Sequence, residues 1–114
     1  MKRKTVSRGP TTLNKKRNTQ VYRNHKGETV IKLYKTNIVE FNESKIKLQV
    51  GTRFVPGSGV VYNHTQTTFR RMNEASYYYG LGYRVFQKNF VTYVDFNEKT
   101  IPFTEGMVIA RGEN

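Results

Sequence analysis

The chain has 114 residues, 36% of them hydrophobic, and a formal net charge of +12 at pH 7. It contains no Cys, which excludes a disulfide framework, a thiolate nucleophile and thiolate metal ligands. No apolar run reaches the length of a membrane span and no apolar segment follows the charged start, while fifteen Tyr and Phe argue against a wholly disordered chain.

The charge is unevenly spread. The first 27 residues hold nine of the twenty Lys and Arg and no acid, whereas residues 28–114 set eleven basic against eight acidic groups. Residues 1–17 carry Lys2, Arg3, Lys4, Arg8, Lys15, Lys16 and Arg17 among Ser, Gly, Pro, Thr and Asn. Only Met1, Val6 and Leu13 offer an apolar anchor there. The segment reads as a flexible, disordered basic arm ahead of a single domain at 18–114. Such an arm stays solvated until it meets a polyanion, so nucleic acid is the expected partner and an acidic protein surface the alternative. It lacks the bulky apolar residues an interfacial helix buries, so no membrane partner is expected. The spacing of Lys2-Arg3-Lys4 and Lys15-Lys16-Arg17 also fits a two-part nuclear import signal.

From residue 20 the pattern becomes short and alternating. Strands are predicted at 20–24, 29–34 and 37–41, separated by His25-Lys26-Gly27 and followed by Asn42-Glu43-Ser44. The clearest strand is 45–50, with Ile46, Leu48 and Val50 on one face and Lys45, Lys47 and Gln49 on the other. Its polar face implies a sheet covered on one side only. Residues 51–63, with Pro56-Gly57-Ser58-Gly59, read as a long Gly-rich loop. No Gly-Lys-Ser/Thr follows these glycines, so they do not form a phosphate-binding loop.

A helix is predicted from Thr67 or Thr68 to Tyr79, begun by a capping Thr and ended by Gly80 and Gly82. Phe69, Met72, Ser76 and Tyr79 form its buried stripe, while Arg70, Glu74 and Tyr77 occupy another side and Arg71 shares a face with Tyr78. Strands follow at 83–88, 90–96, 101–103 and 107–110, the third an edge strand because Pro102 cannot donate to a ladder. The fold class is therefore α+β: a small antiparallel sheet of about five to seven short strands with one packed helix.

Catalytic constellations are scarce. Neither His25 nor His64 sits in metal-ligand spacing with the other or with carboxylates, and the acids are scattered, so no enzyme activity, metal or cofactor is expected. Binding chemistry is better represented. Arg70 and Arg71 flank Phe69 near a helix start where Thr65, Thr67 and Thr68 add hydroxyls, a combination suited to phosphate. Three successive tyrosines leave Tyr77 or Tyr78 exposed for stacking on a base.

Leu33-x-x-Thr36-x-Ile38-Val39-x-Phe41, Leu48, Thr67-Thr68-x-x-Arg71-Met72-Asn73, Val85-Phe86-Gln87, Tyr93-Val94 and Pro102-Phe103-x-x-Gly106-Met107 resemble a group of small uncharacterised bacteriophage proteins. The motif of Thr67, Thr68, Arg71 and Asn73 is its most specific part. The chain departs from that pattern at Gly51-Thr52-Arg53-Phe54, at Phe69 and at Thr92. The resemblance implies a phage protein, located in the host bacterial cytoplasm or the virion, and speaks against nuclear import.

The expectation is thus a non-enzymatic nucleic-acid-binding protein using Lys2, Arg3, Lys4, Arg8, Lys15, Lys16, Arg17, Lys45, Lys47, Arg70 and Arg71. The alternative is a virion component, or an inhibitor docking on an acidic host protein. An unpaired edge strand in so small a sheet also favours a homo-oligomer.

Overall fold

The computed structural model describes Leu13 and residues 16–111, which hold ten strands and one helix. In chain order these are β1 (Thr19–Arg23), β2 (Thr29–Leu33), β3 (Thr36–Phe41), β4 (Lys45–Leu48), β5 (Thr52–Val55), β6 (Gly59–Tyr62), α1 (Gln66–Tyr79), β7 (Tyr83–Lys88), β8 (Val91–Phe96), β9 (Lys99–Pro102) and β10 (Met107–Ala110). The architecture is α+β, with the strands divided over three antiparallel sheets ordered β1-β2-β3-β4-β10, β5-β6 and β7-β8-β9.

Local chemistry sets the turns. Asn24 Oδ1 accepts the amides of Lys26 and Glu28, and Asn42 Oδ1 those of Ser44 and Lys45, so a short carbonyl replaces a backbone acceptor in each bend. Asn89-Phe90 and Asn97-Glu98 both have positive φ, the geometry that matches a two-residue turn to the twist of its strands.

The inner face of the five-stranded sheet supplies Ile31, Leu33, Val39, Phe41, Ile46, Leu48 and Ile109 to one core with Phe69, Met72 and Ala75 of α1. A bulge where β2 meets β3 leaves Ile38 without a register partner, and both Ile38 and Val39 are fully buried. Leu81, between α1 and β7, closes the core together with Tyr83, Val85 and Val94 of the β7-β8-β9 sheet. The outer face carries Gln20, Tyr22, Lys32, Glu40, Lys45 and Lys47, with the fully buried Val30 between Tyr22 and Glu40.

Helix α1 starts earlier than its periodicity suggests. Thr65 is the N-cap, its hydroxyl oxygen accepting from the Thr68 amide at 3.2 Å. Gly80, at φ 64°, ends the helix in the left-handed conformation, and the Leu81 amide reaches back to the Ser76 carbonyl at 2.9 Å.

Two expectations need correction. Residues 51–63 form the β5-β6 hairpin rather than a loop. The β-branched and aromatic runs Thr52–Val55 and Gly59–Tyr62 flank the turn residues Pro56-Gly57-Ser58, a hairpin signal that the glycine content of the segment masked. The hairpin is anchored at its base by Gly51, whose carbonyl accepts from the Asn63 amide and where a Cβ would overlap Thr36 Oγ1. The boundary at residue 17 is also too late: Leu13 is 0% exposed within the core. Lys2, Arg3, Lys4, Arg8 and Lys15 lie outside the described residues.

Candidate nucleic-acid interface

The antiparallel order puts the β2-β3 turn at one end of the large sheet and the β1-β2 and β3-β4 turns at the other. Helix α1 runs between these ends: Thr67 and Thr68 share a cleft with Tyr34 and Lys35, while Tyr79 packs on Phe41 with ring centroids 4.9 Å apart. The helix start therefore lies at the β2-β3 end.

That end is cationic. The cleft beside the first turn of α1 has a volume of about 730 Å³ and includes Lys35, Arg53, Thr36, Thr52 and Thr67 in its wall, with no carboxylate among its lining residues. Among the described residues neither Lys35 nor Arg53 has an ion-pair partner. Tyr34, at φ 55° and 65% exposed, stands on the rim. It also borders a second cleft formed with Lys16, Asn18, Thr19 and Gln20, and its amide donates to the Asn18 carbonyl at 2.9 Å. The residues through which the basic segment enters the fold thus adjoin the helix start, although some 50 positions separate them.

The sequence-predicted residues divide. Arg70 is exposed on α1, and Arg17 is exposed at the entry to β1. Lys16 is half-buried, its Nζ 3.7 Å from Glu74 Oε2. Lys45 and Lys47 sit on the outer face of the sheet, away from the helix. There Glu28 Oε2 lies 3.9 Å from Lys45 Nζ. The Asn24 side-chain hydrogen bond, opposed by burial and helped by the charges of Lys45, Lys26 and Lys47, holds this carboxyl below its ordinary range. Tyr77 is 83% exposed and Tyr78 36%, in edge contact with each other at the C-terminal end of α1.

Arg71 departs from its expected place. It is 8% exposed, its Nε donates to Thr19 Oγ1 at 3.1 Å and its Nη1 to Glu74 Oε1 at 3.3 Å. The chain entering β1 packs over this part of the helix, so the guanidinium ties elements together instead of facing solvent. The rest of the motif is also internally engaged. Thr68 is fully buried with its hydroxyl 2.9 Å from that of Thr65, and Asn73 bonds to the backbone of β7; of the four, only Thr67 is exposed.

His64 Nδ1 is 2.9 Å from Thr92 Oγ1 and its ring meets the edges of Phe69 and Phe103, which directs it away from Thr67. Among the described residues no three of His, Cys, Asp and Glu gather to hold a metal ion, and no helix is long and apolar enough to cross a membrane. Lys35, Arg53 and Tyr34 were not legible as site residues: one lysine in a turn and one arginine in an apparent loop carry no local signal.

No curated protein and no solved structure matches the chain. The family model described as Kyanoviridae Gp96 protein matches residues 6–110, reaching into the basic segment, and the chain belongs to this family of phage proteins.

Proposed function

We propose that this phage protein binds nucleic acid without catalysing a reaction, gripping the phosphate backbone between its basic N-terminal segment and the cleft at the start of α1. One observation carries the reading: Lys16, at the root of that segment, lines a cleft bordered by Tyr34, and Tyr34 also borders the cleft of Lys35 and Arg53, which among the described residues have no ion-pair partner and no carboxylate beside them in its lining. Cations gathered at adjoining clefts suit a polyanion, and their contacts are with phosphate rather than base edges, so recognition is of charge and not of sequence. Arg70 extends the positive surface along the helix, and the exposed ring of Tyr34 offers a stacking face. The protein would act in the infected cell or within the virion.

Fluorescence anisotropy with a labelled oligonucleotide across a salt series tests this. The logarithm of affinity should fall with the logarithm of salt concentration. K35Q/R53Q should weaken binding and flatten the slope by about two units. No saturable binding at low salt, or an unchanged slope in that variant, overturns the reading.

A protein-docking role has its own support. The β5-β6 hairpin presents Phe54 (71% exposed), Val60 (70%) and Tyr62 (56%) on one face. A stoichiometric protein partner retained from nuclease-treated host lysate, and lost in F54S, would favour a virion or inhibitor role.

A further inference from the structure

At the sheet end opposite the proposed interface, Arg23 closes β1 and Arg111 follows β10, so two arginines come from the two edge strands of the same sheet. Both line a single cleft of about 520 Å³ with Thr29, Phe41, Glu43 and Ser44. Each guanidinium is steadied by a carbonyl: Arg23 Nη1 donates to Gly27 O at 3.1 Å, and Arg111 Nη1 donates to Asn42 O. The Arg111 amide is fixed to the Ser44 carbonyl at 2.9 Å, and its guanidinium carbon lies 5.9 Å from the centroid of the Phe41 ring. Glu43 is in the lining, yet among the described residues neither arginine has a carboxylate within ion-pair distance.

Two anchored guanidinium groups lining one cleft, neither ion-paired among the described residues, give it a positive potential that favours an anion. Each keeps N–H donors free after its single carbonyl bond, in the planar fork that fits oxygen anions. We propose that this cleft binds the phosphate group of a phosphate ester, with Arg23 and Arg111 as the clamp and the Thr29 hydroxyl as a further donor. A phosphate ester offers up to two charges and three terminal oxygens to two forks, where a carboxylate offers one charge and two oxygens. The cleft is larger than a phosphate alone, and its Phe41 wall gives the esterified part an apolar surface. This site is separate from the interface proposed above and does not depend on it.

The test is a heteronuclear NMR titration of the ¹⁵N-labelled full chain with inorganic phosphate, at ionic strength held constant with sodium chloride. Saturable shifts are expected at the Nε–H groups of Arg23 and Arg111 and at the Ser44 amide, and not at Arg53 or Arg70. R23Q, at an exposed position, should weaken phosphate by about tenfold or more while leaving the remaining spectrum in place. R111Q should do the same, and its own spectrum reports whether the β3-β4 turn survives. Adenosine monophosphate and a short single-stranded oligonucleotide then separate the sources. Tighter binding of the nucleotide identifies a free phosphate ester, and tighter binding of the oligonucleotide at the same resonances identifies a nucleic-acid backbone. Shifts that do not saturate, that spread evenly over all surface arginines, or that persist unchanged in R23Q overturn the proposal.

Discussion

Asn73 and Val85 are paired as neighbouring strands would be. The Asn73 side chain donates from Nδ2 to the Val85 carbonyl at 2.9 Å and accepts the Val85 amide on Oδ1 at 2.8 Å. Two residues away along β7, the Ser76 hydroxyl donates to the Tyr83 carbonyl at 2.7 Å and accepts the Tyr83 amide at 3.1 Å. Strand β7 lies at the edge of its sheet, and the helix occupies that edge with side chains that imitate a peptide group.

Replacing Asn73 by Ala should therefore remove two hydrogen bonds at once and cost about 1–3 kcal/mol. Asp should do no better than Ala, since it keeps the acceptor for the Val85 amide but sets a carboxylate against the Val85 carbonyl. Urea denaturation checks both; a change within about 0.5 kcal/mol for Ala would mean that water replaces the pairing without loss.

The adjacent arginines of α1 should separate stability from binding. Arg71 is buried and joined to Thr19 and Glu74, so R71Q should lower unfolding free energy by about 1–3 kcal/mol. Arg70 is exposed and among the described residues makes no such contacts, so R70Q should stay within about 0.5 kcal/mol of the parent and weaken oligonucleotide binding instead. Denaturation and anisotropy on the same two variants give both readings.

Much of the fold was legible because alternation and helical spacing are local. Ile46 and Leu48 on one face of β4, Val50 buried just beyond it, and Phe69 and Met72 on one stripe of α1 appear where the pattern places them. What escaped depends on contacts between distant segments. Nothing near Arg71 announces that the Lys16–Thr19 stretch will lie over it, and nothing near Leu13 marks it as core. The convergence of Lys35 and Arg53 is a property of topology: one sits in the β2-β3 turn, the other on a hairpin whose side chains face solvent. Thr68 and Arg71, read as part of a phosphate site, and Asn73 of the resemblance motif are spent on internal bonds.

Two neighbouring buried phenols should respond oppositely to loss of their hydroxyls. Tyr83 OH donates to the Met72 carbonyl at 2.6 Å, so Y83F should cost about 1 kcal/mol. Tyr79 OH is buried with no hydrogen-bond partner among the described residues, while its ring packs on Phe41. Y79F keeps the ring, removes the unsatisfied group and should be neutral or stabilising by up to about 1 kcal/mol.

The same burial sets an alkaline limit. Burial pushes the Tyr79 phenol up to about 12 and raises Tyr83 as well. An unfolded chain ionises its tyrosines near pH ~10, so above that pH it releases protons that the fold retains. Stability should be fully present at neutral pH and decline as pH rises from about 10 through the folded values. Y79F should make that decline shallower. Thermal melts between pH 8 and 12 test it, and a flat profile for the parent chain would contradict the assignment.

The buried Leu13 decides how the basic segment can be removed. Deleting residues 1–17 would take away a core side chain, the Lys16 partner of Glu74, and the Arg17 carbonyl that accepts from Thr19 Oγ1. L13A alone should cost about 2–4 kcal/mol, so the longer deletion confounds lost charge with lost stability. Deleting residues 1–10 removes Lys2, Arg3, Lys4 and Arg8 while keeping Leu13. That shorter variant should unfold at the parent's urea midpoint and bind oligonucleotide more weakly. Its salt slope should be flatter by about three to four units if each lost cation meets a phosphate. A parent-like slope in a chain of parent-like stability would take the first ten residues out of the interface and leave recognition to Lys16, Arg17, Lys35 and Arg53. A chain that unfolds early would instead place part of residues 1–10 in the fold.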